Sequence, residues 1–449
     1  MKKILSFSII ISLLVLTSLV FAEEVPLAPP TVPAVAQSAP VPKVDTGDTA
    51  WVLISTALVM LMTPGLALFY GGMVRRKNVL GTIMQSFIAL GVISIIWVLY
   101  GYSLAFGPDI GHFIGSLDWA GLKNVGLDPN PDYSATIPHQ AFMIFQMMFA
   151  VITPALITGA FAERFKFSTY ILFLVLWATF VYSPVAHWVW GLGGWIRNLG
   201  ALDFAGGLVV HISSGVSALA AALMVGKRKG YNKESMPPHN LTMTFLGAAL
   251  LWFGWFGFNG GSAVASGALA TSAFVVTHIA TAAAALTWMT AEWMHRGKPT
   301  ALGAVSGAVA GLVAITPASG FVEPMSSIVI GLAAGVICYM AVNLKTKLRY
   351  DDSLDAVGIH GVGGTWGAIA TGLFASKAIN SAGNDGLFFG NASLLVNQLI
   401  SIGAVWVYSF VITLIILKVL DLTLGLRVNE ESEFIGLDQS VHGESGYTS

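Results

Sequence analysis

Two stretches of the chain place a carboxylate and a lone histidine at the start of an apolar run: Asp203-Phe-Ala-Gly-Gly-Leu-Val-Val-His211 and, about 150 residues later, Asp355-Ala-Val-Gly-Ile-His360. Both histidines enter segments that otherwise suit hydrocarbon. An ionisable side chain there costs roughly 2.5–3.5 kcal/mol on insertion scales, so its presence points to function. A neutral histidine bonded to a neighbouring helix is the structural alternative, and recurrence in two halves of the chain favours function. Each neutral imidazole offers one donor and one acceptor. Two in contact form a polar line that suits a small molecule able both to give and to accept hydrogen bonds, or that relays protons. Asp203 either caps its segment by accepting backbone N–H bonds or lowers the energy of an arriving cation. Capping is the preferred reading, and on it Asn should replace Asp203 with some function kept.

Aromatic residues add a second constellation. Phe145 and Phe149 stand four apart on one helix face, as do Phe258 and Ser262. Trp190, Phe258 and Ser262 fall at the outer ends of their segments. Aromatic rings with a hydroxyl can hold a small cation by cation–π attraction and one hydrogen bond, worth ~1–2 kcal/mol when partly dehydrated. Trp188 and Trp195 read instead as an interfacial belt. His112, His139, His187, His239, His278, His295 and His442 have no partner in the other half and read mostly as loop or helix-end residues. GxxxxGK[ST], HExxH and GxSxG are all missing from the sequence. No enzyme, metal or cofactor is expected.

The elements that must position these residues are membrane helices. The 449 residues are 55% hydrophobic and only 10% charged, far below the ~25% charged of a soluble domain. The net charge of −1 and the lack of a basic patch outside the loops give no reason to expect nucleic acid. The single cysteine, Cys338, excludes an intramolecular disulfide and reads as packing filler. Residues 1–22 read as a signal peptide cleaved after Ala22. Residues 23–47 form a Pro/Ala/Val-rich leader with no periodicity, expected to be disordered. Eleven spans follow, near 49–73, 79–104, 138–161, 167–186, 206–226, 239–261, 268–294, 300–317, 325–345, 356–375 and 393–420. The small-residue stripe Gly303, Gly307, Gly311 predicts close helix packing. Segments predicted inside carry sixteen Lys and Arg against four outside, which sets the mature N-terminus outside and the C-terminus in the cytoplasm. A block of five spans that begins outside, followed by a block of five that begins inside, suggests an inverted repeat with a site near the midplane. The two Asp…His stretches then open the equivalent spans five and ten. The acidic tail after Leu426 can lie across the basic inner loops, in a salt-dependent contact.

Several motifs in one order resemble the ammonium transporter (Amt/Mep/Rh) family, and bacterial members in particular: PGLALFYGGMVRRKNVL at 64–80, WVLYGYSLAFG at 97–107, GALDFAGGLVVHI at 200–212, PPHNL at 237–241, GWFGFNGGSA at 254–263, TPASG at 316–320, DDSLDAVGIHGVGG at 351–364 and DLTLGLRV at 421–428. The resemblance implies an all-α fold of eleven helices with a five-plus-five inverted repeat, in a transporter domain over 48–428 and a cytoplasmic tail over 429–449. It implies a homotrimer in the plasma (inner) membrane with one pore per subunit. By the same resemblance, Phe145, Phe149, Trp190 and Ser262 correspond to an outer ammonium site, Phe149 and Phe258 to a phenyl gate, and His211 and His360 to twin pore histidines. Asp203 corresponds to the buried acid beneath the site. The substrate implied is ammonium or ammonia, with methylammonium as an analogue. The implied cytoplasmic partner is a nitrogen-regulatory PII protein. Met147, Met148 and Trp366 depart from the usual pattern, and Trp366 is expected to narrow the inner pore. An ammonium sensor signalling through a PII-type protein and a channel for CO2 or another neutral gas are the alternative functions on this fold.

Overall fold

An apolar run with no water beside its backbone must close its own N–H···O=C bonds, and a helix does so within one segment. The computed structural model describes residues 42–447, and these are mostly helical. The helices are α1 (Thr46–Met73), α2 (Arg76–Phe106), α3 (His139–Phe161), α4 (Phe167–Leu199, broken between Gly191 and Gly194), α5 (Gly207–Val225), α6 (Leu241–Gly261) and α7 (Ala268–Arg296). They continue with α8 (Ala301–Ile315), α9 (Pro324–Leu348), α10 (a π turn over Val357–Val362 continued by Gly363–Phe374) and α11 (Ala392–Thr423). Two short helices, α12 (Glu430–Ile435) and α13 (Leu437–His442), form the tail.

Nine helices among the described residues, α1–α7, α9 and α11, are long and apolar enough to cross a membrane. Of the eleven expected spans, α8 falls short by length, at 15 residues. α10 is diluted by Gly358, Gly361, Gly363, Gly364, Gly367 and Gly372. The connection from α2 to α3 holds two small antiparallel hairpins, β1 (Asp109–Ile110) with β2 (Ile114–Gly115) and β3 (Pro129–Asn130) with β4 (Ser134–Pro138), which the hydropathy pattern did not reveal. The expected signal peptide and most of the leader lie outside the described residues.

Small residues set the helix contacts. A Cβ on Gly247 of α6 would sit 2.2 Å from the Phe69 backbone nitrogen of α1, so only glycine lets these two helices approach as they do. The Gly303–Gly307–Gly311 stripe seats α8 on α7, against Glu292, Trp288 and Ala280. Cys338 is free and fully buried beside Trp288, Ala310 and Tyr339. The core therefore lies between helices, around α3, α5 and α10, while α7, α9 and α11 turn leucines, valines and methionines outward.

Candidate functional site

The site begins where α5 and α10 start. The Asp203 carboxylate accepts the backbone N–H groups of Gly206, Gly207, Leu208 and Val209 at 2.9, 2.5, 2.7 and 3.2 Å. These are the orphan donors of a helix start, and one side chain satisfies four of them. At α10 the equivalent acid is Asp352, which accepts from Ala356 and Val357 at 3.1 and 2.8 Å. This corrects the pairing of Asp203 with Asp355. Asp355 instead takes a left-handed backbone (φ 66°) and binds the Lys345 ammonium. The signal was present in the spacing, since Asp203 and Asp352 each stand eight residues before their histidine.

Both histidines lie in π turns, Gly207–Ile212 and Val357–Val362, a geometry frequent at functional positions. The two elements cross through glycine. A Cβ on Gly215 would lie 2.0 Å from the Gly361 nitrogen, and one on Gly364 would lie 2.9 Å from the His211 Cβ. Gly215 and Gly364 each follow a histidine by four residues, so on each helix the glycine one turn on lets the other helix approach closely beside its histidine. The rings are thereby brought face to face, with Nδ1 to Nδ1 at 3.4 Å, centroids 5.4 Å apart and planes at 22°. Both are buried.

The phenyl rings form a column above this pair. Phe149 and Phe258 have centroids 4.3 Å apart, Phe145 stands 5.0 Å from Phe149, and Trp190 meets Phe149 edge-on at 5.9 Å. Phe258 lies 6.0 Å from His211 at 19°, so the aromatic column runs directly into the imidazoles. The Trp190 indole is fixed by donating to the Asp203 carbonyl at 2.8 Å. Ser262 donates its hydroxyl to the Phe258 carbonyl at 2.8 Å, which leaves the oxygen lone pairs free to accept. Ser262 joins the group through backbone: a Cβ on its neighbour Gly261 would lie 2.8 Å from Phe145.

Two participants escaped the sequence reading. Trp255 stacks on His211 at 5.5 Å, and its indole donates to Thr316 at 2.9 Å. Thr316 also lies 3.4 Å from His211 Nε2. Trp255 stands three residues before Phe258, on the same helix face, and could have been found from that spacing. Thr316, on the distant α8 end, has no local signal. An enclosed cavity lies against His211 and His360, walled by apolar side chains such as Leu66, Leu251, Val309 and Ile359. It has room for about one water.

Other expectations fall elsewhere. Trp366 does not line this cavity; its indole donates to the Ile330 carbonyl at 3.0 Å and packs between α7, α8 and α9. It therefore does not narrow the cavity beside His360. His187 is a helix-end residue, in the last turn before the break in α4, and is buried, with its ring nitrogens 3.0 Å from the Ala105 carbonyl and 2.8 Å from Asp109. His139 is buried against the Tyr102 hydroxyl, and His278 sits mid-helix on α7 beside Trp252. Trp188 is largely buried too, and its indole donates to the Phe113 carbonyl at 2.9 Å. No group of three metal-ligating side chains occurs among the described residues.

The face carrying the basic loops is tied together by buried charge. Arg228 donates from Nε and Nη2 to Asp351 at 3.0 and 2.9 Å. Arg164, fully buried, donates to the carbonyls of Ala160 and Asp351 at 3.0 and 2.7 Å. Burial pulls the Arg164 guanidinium down to about 10, against the opposing pull of Asp351. The tail lies on this face. Glu433 accepts from Arg427 and from the Lys229 backbone at 2.6 and 2.7 Å, and Asp438 accepts from Gly81 N–H at 2.9 Å.

Comparison with known proteins gives one consistent answer. The model of the Ammonium Transporter Family matches residues 50–447. An ammonium transporter of Bacillus subtilis is 59% identical over 402 residues, covering 89% of this chain and 98% of that protein. Ammonium transporter Amt1 of Archaeoglobus fulgidus is 53% identical, covering 90% and 99%. The crystal structure of Candida albicans Mep2 superposes with a TM-score of 0.82 at 39% identity, covering 87% and 88%. A structure described as a sensor Amt protein superposes at 0.81 with 30% identity, covering 88% and 98%. With a family match across nearly the whole described chain and relatives above half identity, this chain belongs to the ammonium transporter family.

Proposed function

We propose that the chain is an ammonium transporter that recruits ammonium at Phe145, Phe149, Trp190 and Ser262, deprotonates it, and passes ammonia between Phe149 and Phe258 and along His211 and His360 to the cytoplasm. The observation that carries this reading is the continuous line from phenyl pair to imidazole pair, ending in a cavity with room for about one water. A hydrated ion does not fit such a space. A bare cation such as K⁺ would lose its hydration shell to two neutral rings and apolar walls, with no carbonyl ring in exchange. Ammonia bears no net charge, donates and accepts hydrogen bonds, and matches the imidazoles. At the aromatic end, ring faces and the lone pairs of Ser262 suit the charged form. Proton loss must therefore occur between the two, near Phe149 and Phe258. Asp203 keeps the start of α5, and through its carbonyl the Trp190 ring, in place.

In this reading α1–α11 all cross the membrane, α8 being short and α10 glycine-diluted because both are enclosed by the others. α1–α5 and α6–α10 form the inverted repeat, and the matched acid, histidine and glycine spacings of α5 and α10 support it. The basic face is cytoplasmic, the mature N-terminus lies outside, and the subunits assemble as a homotrimer in the plasma (inner) membrane. The tail face is where a PII-type protein would dock.

Identity of 59% and 53% to transporters favours transport over sensing, for which the 30% identical sensor Amt protein is the counterpart. Uptake of labelled methylammonium by cells lacking other ammonium carriers tests the proposal. Uptake above the empty-vector level, suppressed by added ammonium, is expected. Uptake equal to the empty vector in cells that carry the protein in the membrane would refute it.

A further inference from the structure

We infer that Thr316 holds the two pore histidines in a single tautomer, with the hydrogen on His211 Nε2 and on His360 Nδ1; this rests on the pore reading above. Thr316 has one hydroxyl hydrogen and two lone pairs. The hydrogen goes to the Leu312 carbonyl at 2.7 Å. That carbonyl belongs to the last turn of α8 and lacks its usual backbone donor, because the Thr316 N–H turns to Val313 instead. Releasing it would orphan a buried acceptor. One lone pair of Thr316 takes the Trp255 indole N–H at 2.9 Å, and indole can only donate. What remains toward His211 Nε2, at 3.4 Å, is a lone pair. His211 Nε2 must therefore carry the hydrogen.

The rest follows down the line. A neutral His211 with hydrogen on Nε2 presents a bare Nδ1. His360 Nδ1, 3.4 Å away, supplies the matching hydrogen. His360 Nε2 is then bare, has no partner among the described residues, and belongs to the ring that lines the cavity. The pair thus offers an acceptor to the N–H of a passing molecule at the His360 end. A proton placed on His360 Nε2 could move on only if His360 Nδ1–H passed to His211 Nδ1 and His211 Nε2–H passed to Thr316. Thr316 would then have to hand its own hydrogen to an amide carbonyl, which cannot keep it. The line is closed to proton hopping at Thr316. Thr316 is a positioning residue, acting on the substrate through His211.

Solid-state ¹⁵N NMR of the full chain in lipid bilayers, labelled at histidine, tests this. Subtracting the His211→Gln spectrum isolates His211 among the nine histidines. Wild type should show His211 protonated at Nε2 and bare at Nδ1. Thr316→Val keeps the branched shape but removes the acceptor, and should shift the tautomer ratio by about five- to tenfold, the worth of one net hydrogen bond. Thr316→Ser should restore the wild-type pattern. Hydrogen on His211 Nδ1 in wild type, a wild-type mixture, or an unchanged ratio in Thr316→Val would each overturn the inference. Methylammonium flux measured on the same wild-type bilayers decides the transport reading separately, since the tautomer signal does not depend on flux.

Discussion

At the scale of single residues, the acids beneath the histidines carry more than a charge. The expectation that Asn can stand in for Asp203 does not survive the geometry. Both carboxylate oxygens are used, two N–H groups on each, so an amide would turn its own N–H₂ toward two backbone donors. Each buried donor left unsatisfied costs about 1–3 kcal/mol. Asp203→Asn is therefore expected to lose thermal stability and methylammonium uptake nearly as severely as Asp203→Ala, whereas simple capping would spare Asn. Melting curves of the two purified variants check this, and an Asn variant as stable as wild type would contradict it. The sequence showed Asp203 and His211 because a charge in an apolar run stands out. It hid Asp352 because three acids, Asp351, Asp352 and Asp355, crowd the same loop, and only the spacing to His360 separates them.

At the scale of elements, the bundle was legible because apolar runs repeat along the chain, and the helix limits fall within a few residues of the expected ones except at α4, whose apolar character continues past its bend at Gly191. What stayed hidden was tertiary. Thr316 and Trp255 meet His211 from two distant helices, and no local pattern marks such a meeting. The crossing of α5 and α10 rests on Gly215, where a methyl would strike backbone that cannot step aside. Gly215→Ala should cost about 1–3 kcal/mol by overpacking and separate the imidazoles. Gly403→Ala, which meets nothing within 4 Å, should be neutral in the same melting assay. Equal melting of the two variants would refute this account of the crossing.

The basic-face ion pair gives a pH prediction at the same scale. Burial raises the Asp351 carboxyl, but the Arg228 hydrogen bonds and the Arg164 and Arg228 charges outweigh it, so it sits below its ordinary value of 3.8. A depressed carboxyl stabilises the fold above its unfolded value and loses that contribution as pH falls through the folded one. The melting difference between wild type and Asp351→Asn should thus be full at pH 5 and above, and shrink only as pH drops below 3.8. A difference that is constant across this range would exclude the ion pair as its cause.

At the scale of the whole molecule, the proposed function derives selectivity from a sequence of environments: ring faces that suit a cation, a closed phenyl pair, then two neutral imidazoles in an apolar cavity. No single step needs to recognise ammonium alone, because an ion that stays charged fails at the second and a molecule without N–H or lone pair gains nothing at the third. The docked tail extends this order to the basic face through Glu433, Arg427 and Lys229, whose neighbour Arg228 grips Asp351 beside the Asp352 cap of His360. The most direct test is flux in proteoliposomes of wild type and of the His211→Ala and His360→Ala variants, measured for methylammonium and for K⁺ under equal gradients. The account predicts methylammonium flux without K⁺ flux in wild type, and a fall in methylammonium-over-K⁺ selectivity of at least about tenfold in both variants, the order of 1.4 kcal/mol. Unchanged selectivity in both folded variants would contradict it.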